Sequence, residues 1–145
     1  MRIRAARAAD IEAMHALRLR VTENRLADAG RVTKASYPPY LAQSGAWVAE
    51  TEQGIAGFAI LDVAGASIWA LFVAPEAEGM GIGRALHRRL LGSAIERGLR
   101  RLCLSTAPGT RAELFYREAG WTETGMTATG ELGFEKDLTG GSRDS

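Results

Sequence analysis

A single cysteine, Cys103, is all the sequence holds, so no disulfide framework can form within one chain. Inside the apolar run Leu102-Cys103-Leu104 it reads as a small buried hydrophobe of a strand. An excess of charge of one sign is also missing: the net charge is +1, which removes the electrostatic case for nucleic acid or an anionic membrane as partner. No apolar run approaches the length of a membrane span, and Met1-Arg2-Ile3-Arg4 lacks the apolar stretch of a signal peptide, so the cytoplasm is the expected compartment. The sequence has no internal repeat, no linker long enough to divide it and no metal-binding set that can be assigned.

What is present is ordinary globular material. At 145 residues, 46% hydrophobic and 24% charged, the chain is expected to form one domain over residues 1–138 with one core. The remainder, 139–145, is Gly- and Ser-rich with nothing to bury, and is expected to be disordered.

Ile3 and Ala5 alternate with Arg2 and Arg4 as in a short strand. Asp10 then opens a helix whose apolar stripe, Ile11, Met14, Leu17 and Val21, leaves Arg18, Arg20 and Glu23 on the polar side. That helix is expected to fray near Asp28-Ala29-Gly30. Thr33 suits the N-cap of a second, short helix limited by Pro38-Pro39. Residues 46–51 and 55–63 read as a hairpin around Glu52-Gln53-Gly54, and 67–73 as the third strand of an antiparallel meander. Ile82, Leu86, Leu90 and Ala94 repeat every four residues in a helix closed by Gly98, with His87 near its apolar side as a packed residue. A short strand (101–105), a helix (110–119) and two last strands (121–127 and 131–138) complete the order.

Chemistry concentrates in Leu71-Phe72-Val73-Ala74-Pro75-Glu76-Ala77-Glu78-Gly79-Met80-Gly81-Ile82-Gly83-Arg84-Ala85-Leu86. Strand, glycine loop and helix in that order build an anion site, because first-turn N–H groups have no intrahelical partner and carry positive partial charge. A P-loop would need Gly-Lys-Ser/Thr where this chain has Gly83-Arg84-Ala85. A dinucleotide fingerprint would need G-x-G-x-x-G after a first strand, whereas here the spacing is G-x-G-x-G in mid-chain.

The stretch instead resembles the acetyl-CoA loop of the GCN5-related N-acetyltransferases, Gln/Arg-x-x-Gly-x-Gly/Ala, at Glu78, Gly81 and Gly83, with Pro75 and Ile82 also in place. Glu78 departs from the expected Gln or Arg. A second landmark, Asn-x-x-Ala-x-x-Phe-Tyr-x-x-x-Gly-Phe, is matched by Ala112, Phe115, Tyr116 and Gly120, with Trp121 for the final Phe and Gly109 for the Asn. The resemblance runs along nearly the whole chain. It implies an α/β (α+β) fold of that family, with a mixed, mostly antiparallel sheet of about six to seven strands flanked by about four helices.

Activity and site follow from the same resemblance. It implies an acetyl-CoA-dependent N-acetyltransferase whose acceptor is a primary amine of a small molecule or peptide, attacking the thioester directly. The cofactor would be held by Leu71, Phe72, Val73, Gly79, Met80, Gly81, Ile82, Gly83 and Arg84. With Glu78 at its head, this loop would grip pyrophosphate through backbone amides. A backbone N–H near Phe72 or Val73 would serve the thioester oxygen, and Tyr116 would be the general acid that protonates the leaving thiolate. Ser105 and Thr106 offer hydroxyls in place of the Asn lost at Gly109.

The amine's base is not fixed by any motif, since 68–73 carries no acidic residue or His. Glu23, Glu50, Asp62 and His15 are candidates, and a water-mediated path is expected. For the acceptor, Glu23 could attract a cationic amine, and Trp69, Tyr37 and Tyr40 could form an aromatic wall or, for the tyrosines, cover the core. Asn24 either rims this pocket or bonds to backbone at the helix end. Pairing of the final strands between subunits would give a homodimer. A non-catalytic acyl-CoA-binding module is the reading from another class.

Overall fold

A computed structural model describes residues 1–21 and 32–139. Glu23, Asn24 and the helix end expected at 28–30 lie outside the described residues, as does the tail from 140.

The chain runs β1 (Arg2–Ala5), α1 (Ile11–Val21), α2 (Pro38–Ala42), β2 (Ala46–Thr51), β3 (Gly54–Asp62), β4 (Ser67–Val73), α3 (Ile82–Glu96), β5 (Arg101–Thr106), α4 (Arg111–Glu118), β6 (Thr122–Met126) and β7 (Leu132–Asp137). The described strands form one seven-stranded sheet in the order β1-β2-β3-β4-β5-β7-β6. Every neighbouring pair is antiparallel except β4 and β5. This is the mixed, mostly antiparallel sheet that the sequence implies, with four helices among the described residues.

Local chemistry explains the boundaries. Asp10 does not cap α1 by charge alone: its carboxylate takes two hydrogen bonds from Arg4, at 2.8 and 3.0 Å, and one from the Arg7 N–H at 2.8 Å, tying the helix start to β1. The Arg4 guanidinium and that backbone bond hold the Asp10 carboxyl below the usual carboxylate range despite some burial. Thr110 caps α4 by accepting from the Glu113 N–H at 3.3 Å, while Glu113 takes the Gly109 N–H at 2.7 Å.

The core lies between the sheet and its helices. On one face Met14 and Leu17 of α1 pack with Tyr37 and Phe58, and on the other Ile82, Leu86, Leu90 and Ala94 of α3 are all buried, as their four-residue spacing predicts. Three expectations fail here. Val21, the last residue of the expected apolar stripe of α1, is exposed. Arg18, placed on the polar side by the stripe at 11, 14, 17 and 21, is buried, because it lies one turn beyond Met14 and reaches the rings of Trp69 and Phe72. Cys103 is exposed, because β5 buries only Leu102, Leu104 and Thr106 on its helix-covered face. Among the described residues, no helix is long and apolar enough to cross a membrane.

Two irregularities set the position of β4. Its pairing with β3 slips between Ile60 and Leu61, which face Ala70 and Ile68, so Trp69 is the extra residue of a β-bulge. Its pairing with β5 amounts to Ser67 against Cys103, fastened by the Cys103 N–H on the Ala66 carbonyl at 3.0 Å. Beyond that rung the strands part. On the β3 side, Gly57 permits close packing: a Cβ there would stand 2.9 Å from the Phe72 carbonyl oxygen, 3.0 Å from Ile82 Cγ2 and 3.1 Å from Leu86 Cδ1.

Substituting Gly57→Ala therefore forces α3 off the sheet. We expect a loss of about 1–3 kcal/mol, read as a lower urea midpoint with an unchanged denaturant slope.

Candidate active site

The gap between β4 and β5 opens into a groove of about 1380 Å³. One wall is β4 from Ser67 to Val73, and the facing wall is Cys103 to Thr106 of β5. Gly79, Gly81 and the first turn of α3 close one end, α4 contributes Ala112, Phe115 and Tyr116, and Arg18 and Val21 of α1 line it as well.

The β4 wall is an unused ladder edge. The Ala74 N–H donates to the Ala56 carbonyl at 2.8 Å, toward β3. Antiparallel alternation then turns the main-chain groups of Phe72 toward β3 and those of Leu71 and Val73 toward the gap. Of the two amides expected at the thioester, Val73 is the one facing the groove.

At the loop, Gly79 and Gly81 take φ of +84° and +82°, conformations that favour glycine. Gly81 is the N-cap of α3 and no side chain caps it, so the first N–H groups of this 15-residue helix point to the groove mouth without an intrahelical partner. Ile82, Gly83 and Arg84 line the groove there. Met80 does not, and its side chain is exposed. The unexpected Glu78 is neutralised: its carboxylate pairs with the Arg111 guanidinium of α4 at 2.8 Å, across the groove mouth.

Tyr116 sits deeper. It lines the groove but is only 5% exposed, held by Phe115, Trp121 and Phe134 at ring distances of 5.1, 5.3 and 6.3 Å. Burial pushes its phenol well above the ordinary range, so the hydroxyl keeps its proton at any working pH. His87 backs the same cluster. It accepts a hydrogen bond from Trp121 Nε1 at 3.0 Å on Nε2, and burial, helped by the charges of Lys136 and Arg88, pushes its pKa down to about 4. His87 is thus a neutral packed residue, as its place on the helix suggested.

Other expected residues fall apart in space. Ser105 lines the groove and donates its hydroxyl to Glu131 Oε1 at 2.9 Å, and Thr106 lines it beside them. Trp69 lines it too, stacked on Tyr40 at 4.6 Å. Tyr37 is fully buried behind Trp69, edge-on at 5.5 Å, with its hydroxyl 3.0 Å from His15 Nδ1, so it supports the wall without forming it. Of the candidate bases, Glu50 is bound by Arg4 at 3.2 Å, Asp62 accepts the Gly65 N–H at 3.2 Å, and His15 is engaged by Tyr37; none of the three lines the groove. Glu23 lies outside the described residues.

Sequence reasoning missed Arg18, Arg111 and Glu131, all on the groove wall. No motif marks them. Glu131 arrives by the β6–β7 turn, and Arg18 and Arg111 carry charge on helices where solvent is the default reading.

A sheet parted at one parallel seam, with an uncapped helix start at the mouth of the gap, is the layout of an acyltransferase-type domain. The sequence profile of the acetyltransferase (GNAT) domain matches residues 42–123, and the chain belongs to that family of acetyltransferases. Among solved structures, a ribosomal-protein-alanine N-acetyltransferase from Brucella melitensis is 27% identical with a TM-score of 0.76, over 94% of this chain and 99% of that one. An N-acetyltransferase from Staphylococcus aureus Mu50 shares the fold at 22% identity and a TM-score of 0.81, over 95% and 98% of the two chains. A phosphinothricin acetyltransferase from Sinorhizobium meliloti, in complex with AcCoA, does so at 22% and 0.80, over 98% and 90%. No curated protein sequence matches the chain.

The depressed pKa of His87 has a consequence for stability. The folded protein holds His87 neutral, whereas the unfolded chain takes up a proton as pH falls below about 6.5. Its contribution is complete above that pH and declines toward pH 4, by up to roughly 3 kcal/mol. Urea unfolding at several pH values should show this slope, and His87→Leu should remove it.

Proposed function

We propose that this protein transfers an acetyl group from acetyl-CoA to a primary amine of a small molecule or peptide, by direct attack of the amine on the thioester. The observation that carries this is the meeting, in one groove, of the uncapped α3 start, the open amide edge of β4 and the protonated Tyr116 phenol. The AcCoA complex of the Sinorhizobium relative supports the choice of co-substrate.

In this reading the pyrophosphate lies on the backbone of Gly79, Met80, Gly81, Ile82, Gly83 and Arg84, where the helix dipole favours anions. The cofactor's amides lie along the Leu71 and Val73 edge, with Phe72 holding the strand against Phe58 and Ser105 on the facing wall. The Val73 N–H donates to the thioester oxygen as it gains charge. The amine nitrogen bonds to the acyl carbon, the carbon–sulfur bond breaks, and Tyr116 gives its proton to the leaving sulfur. The ammonium proton leaves through water to Glu131, the groove carboxylate on the β5 side. The amide and free CoA are the products, and solvent reprotonates Tyr116.

Release of free thiol from acetyl-CoA in the presence of an amine panel tests the reaction. A CoA-induced thermal shift with no thiol from any amine would instead mark a binding module. Tyr116→Phe should lower the single-turnover rate by on the order of 100-fold with little change in acetyl-CoA affinity. Its phenol should impose no alkaline limb on the wild-type profile below about pH 10. Arg111→Ala should raise the KM for acetyl-CoA several-fold by uncovering the Glu78 charge at the pyrophosphate, and adding Glu78→Gln should restore it.

A further inference from the structure

We propose that the chain has a second anion site, outside the groove: the cleft between α3 and α4 binds a small phosphate monoester as its dianion. The inference stands on the lining of that cleft and does not need the transferase reading.

The cleft holds about 310 Å³. Among the described residues, its lining includes no glycine of the loop and nothing from β4 or β5. Three cations converge on it from two elements. Arg84 and Arg88 stand four residues apart on α3 and so share one face of the helix. Lys136 rises from β7, where it pairs in register with the buried Leu102 and is therefore on the helix-covered side of the sheet. It is half-buried, and a Cβ on Gly120 would stand 3.7 Å from its Nζ. Keeping an ammonium there costs solvation that a counter-charge would return.

Among the described residues, no carboxylate forms an ion pair with Arg84, Arg88 or Lys136. The acidic groups around α4 and β7 are engaged elsewhere: Glu113 and Glu123 hold Arg117, Glu78 holds Arg111, and Glu135 lies 3.9 Å from Arg101. Glu118 is the carboxylate of the lining, so three cations against one anion leave the cleft at +2, the complement of a dianion.

His87 supplies a fourth donor. Its Nε2 accepts from Trp121 Nε1 at 3.0 Å, so the neutral ring carries its proton on Nδ1. That N–H has no acceptor among the described residues and is not sealed from solvent, and the ring, 8% exposed, lines the cleft. Two guanidinium forks, an ammonium and an imidazole N–H suit the several oxygens of a phosphate better than the two of a carboxylate. Leu91, Phe115 and Ala119 complete the lining and give the ester's carbon stem an apolar surface. Arg84 also lines the groove, so the two sites share one cation and are coupled without sharing their space.

Calorimetry on the full chain with phenyl phosphate, benzoate and inorganic phosphate tests the proposal. Phenyl phosphate should bind the CoA-saturated protein, at least tenfold more tightly than benzoate and more tightly than inorganic phosphate. Equal binding of phenyl phosphate and benzoate overturns the proposal. CoA should weaken phenyl phosphate binding no more than several-fold, through Arg84. Exclusion by CoA and by dephospho-CoA alike would place the ligand in the groove, and exclusion by CoA alone would make the cleft the seat of the cofactor's 3′-phosphate; either result overturns a second site. Arg88→Met and Lys136→Met should each weaken phenyl phosphate by about tenfold, the scale of one charge-assisted hydrogen bond, with the affinity for CoA unmoved. Arg89→Met, on α3 but outside the lining, should change neither. Undiminished binding in Arg88→Met, or an equal loss in Arg89→Met, overturns the assignment. If Lys136→Met does not fold, Arg88→Met at its exposed helix position decides.

Discussion

A strand in a sheet either bonds to both neighbours or leaves an edge of N–H and C=O groups to be satisfied in some other way. After one rung at Ser67 and Cys103, β4 takes the second course, and most of the functional geometry depends on it. The bulge at Trp69 turns the strand as it leaves β5, the gap becomes the groove, and the Leu71 and Val73 amides become its polar wall. The glycine loop then starts α3 at the mouth of the same gap, because β4 delivers the chain there. Gly57 lets α3 lie close enough to β3 and β4 to hold this arrangement.

Charge is distributed to suit the gap. The loop end presents the backbone N–H groups of an uncapped helix start with Arg84 beside them, and the carboxylate at its head, Glu78, is paired with Arg111 from the opposite wall. The interior end is aromatic: Tyr116 lies among Phe115, Trp121 and Phe134, with His87 neutral behind them. Such surroundings keep a phenol protonated, the form in which it can donate. The α1 side holds a buried guanidinium between rings. One groove thus presents an uncapped helix start at its mouth and buried aromatic rings further in.

Much of this was legible in the sequence, and the reasons are physical. Strand alternation, the four-residue repeat of Ile82, Leu86, Leu90 and Ala94, and the glycines at 79, 81 and 83 are local signals, and the elements they predict are those observed. What was not legible depends on which elements become neighbours. Arg18 looked solvated because a helix stripe does not reveal a partly open sheet beneath it. Cys103 looked buried because an apolar run does not say which strand face lacks a helix. Tyr37 and Tyr40 are near in sequence, yet one is sealed in the core and the other is stacked on Trp69. Glu131 carries no motif, and only the pairing of β5 with β7 brings it to Ser105.

The single rung between β4 and β5 also bears on how long the protein lasts. Strands β1 to β4 form one leaf and β5 to β7 another, joined at that seam and by α3. A ligand whose amides run along the open edge acts as a missing strand: it splices the leaves and completes the sheet. Binding energy then becomes folding energy for the whole domain, growing with the logarithm of ligand concentration above its dissociation constant. On the proposed reading, the resistance of this chain to unfolding and proteolysis follows the supply of acetyl-CoA, which makes its abundance a readout of the metabolite it consumes.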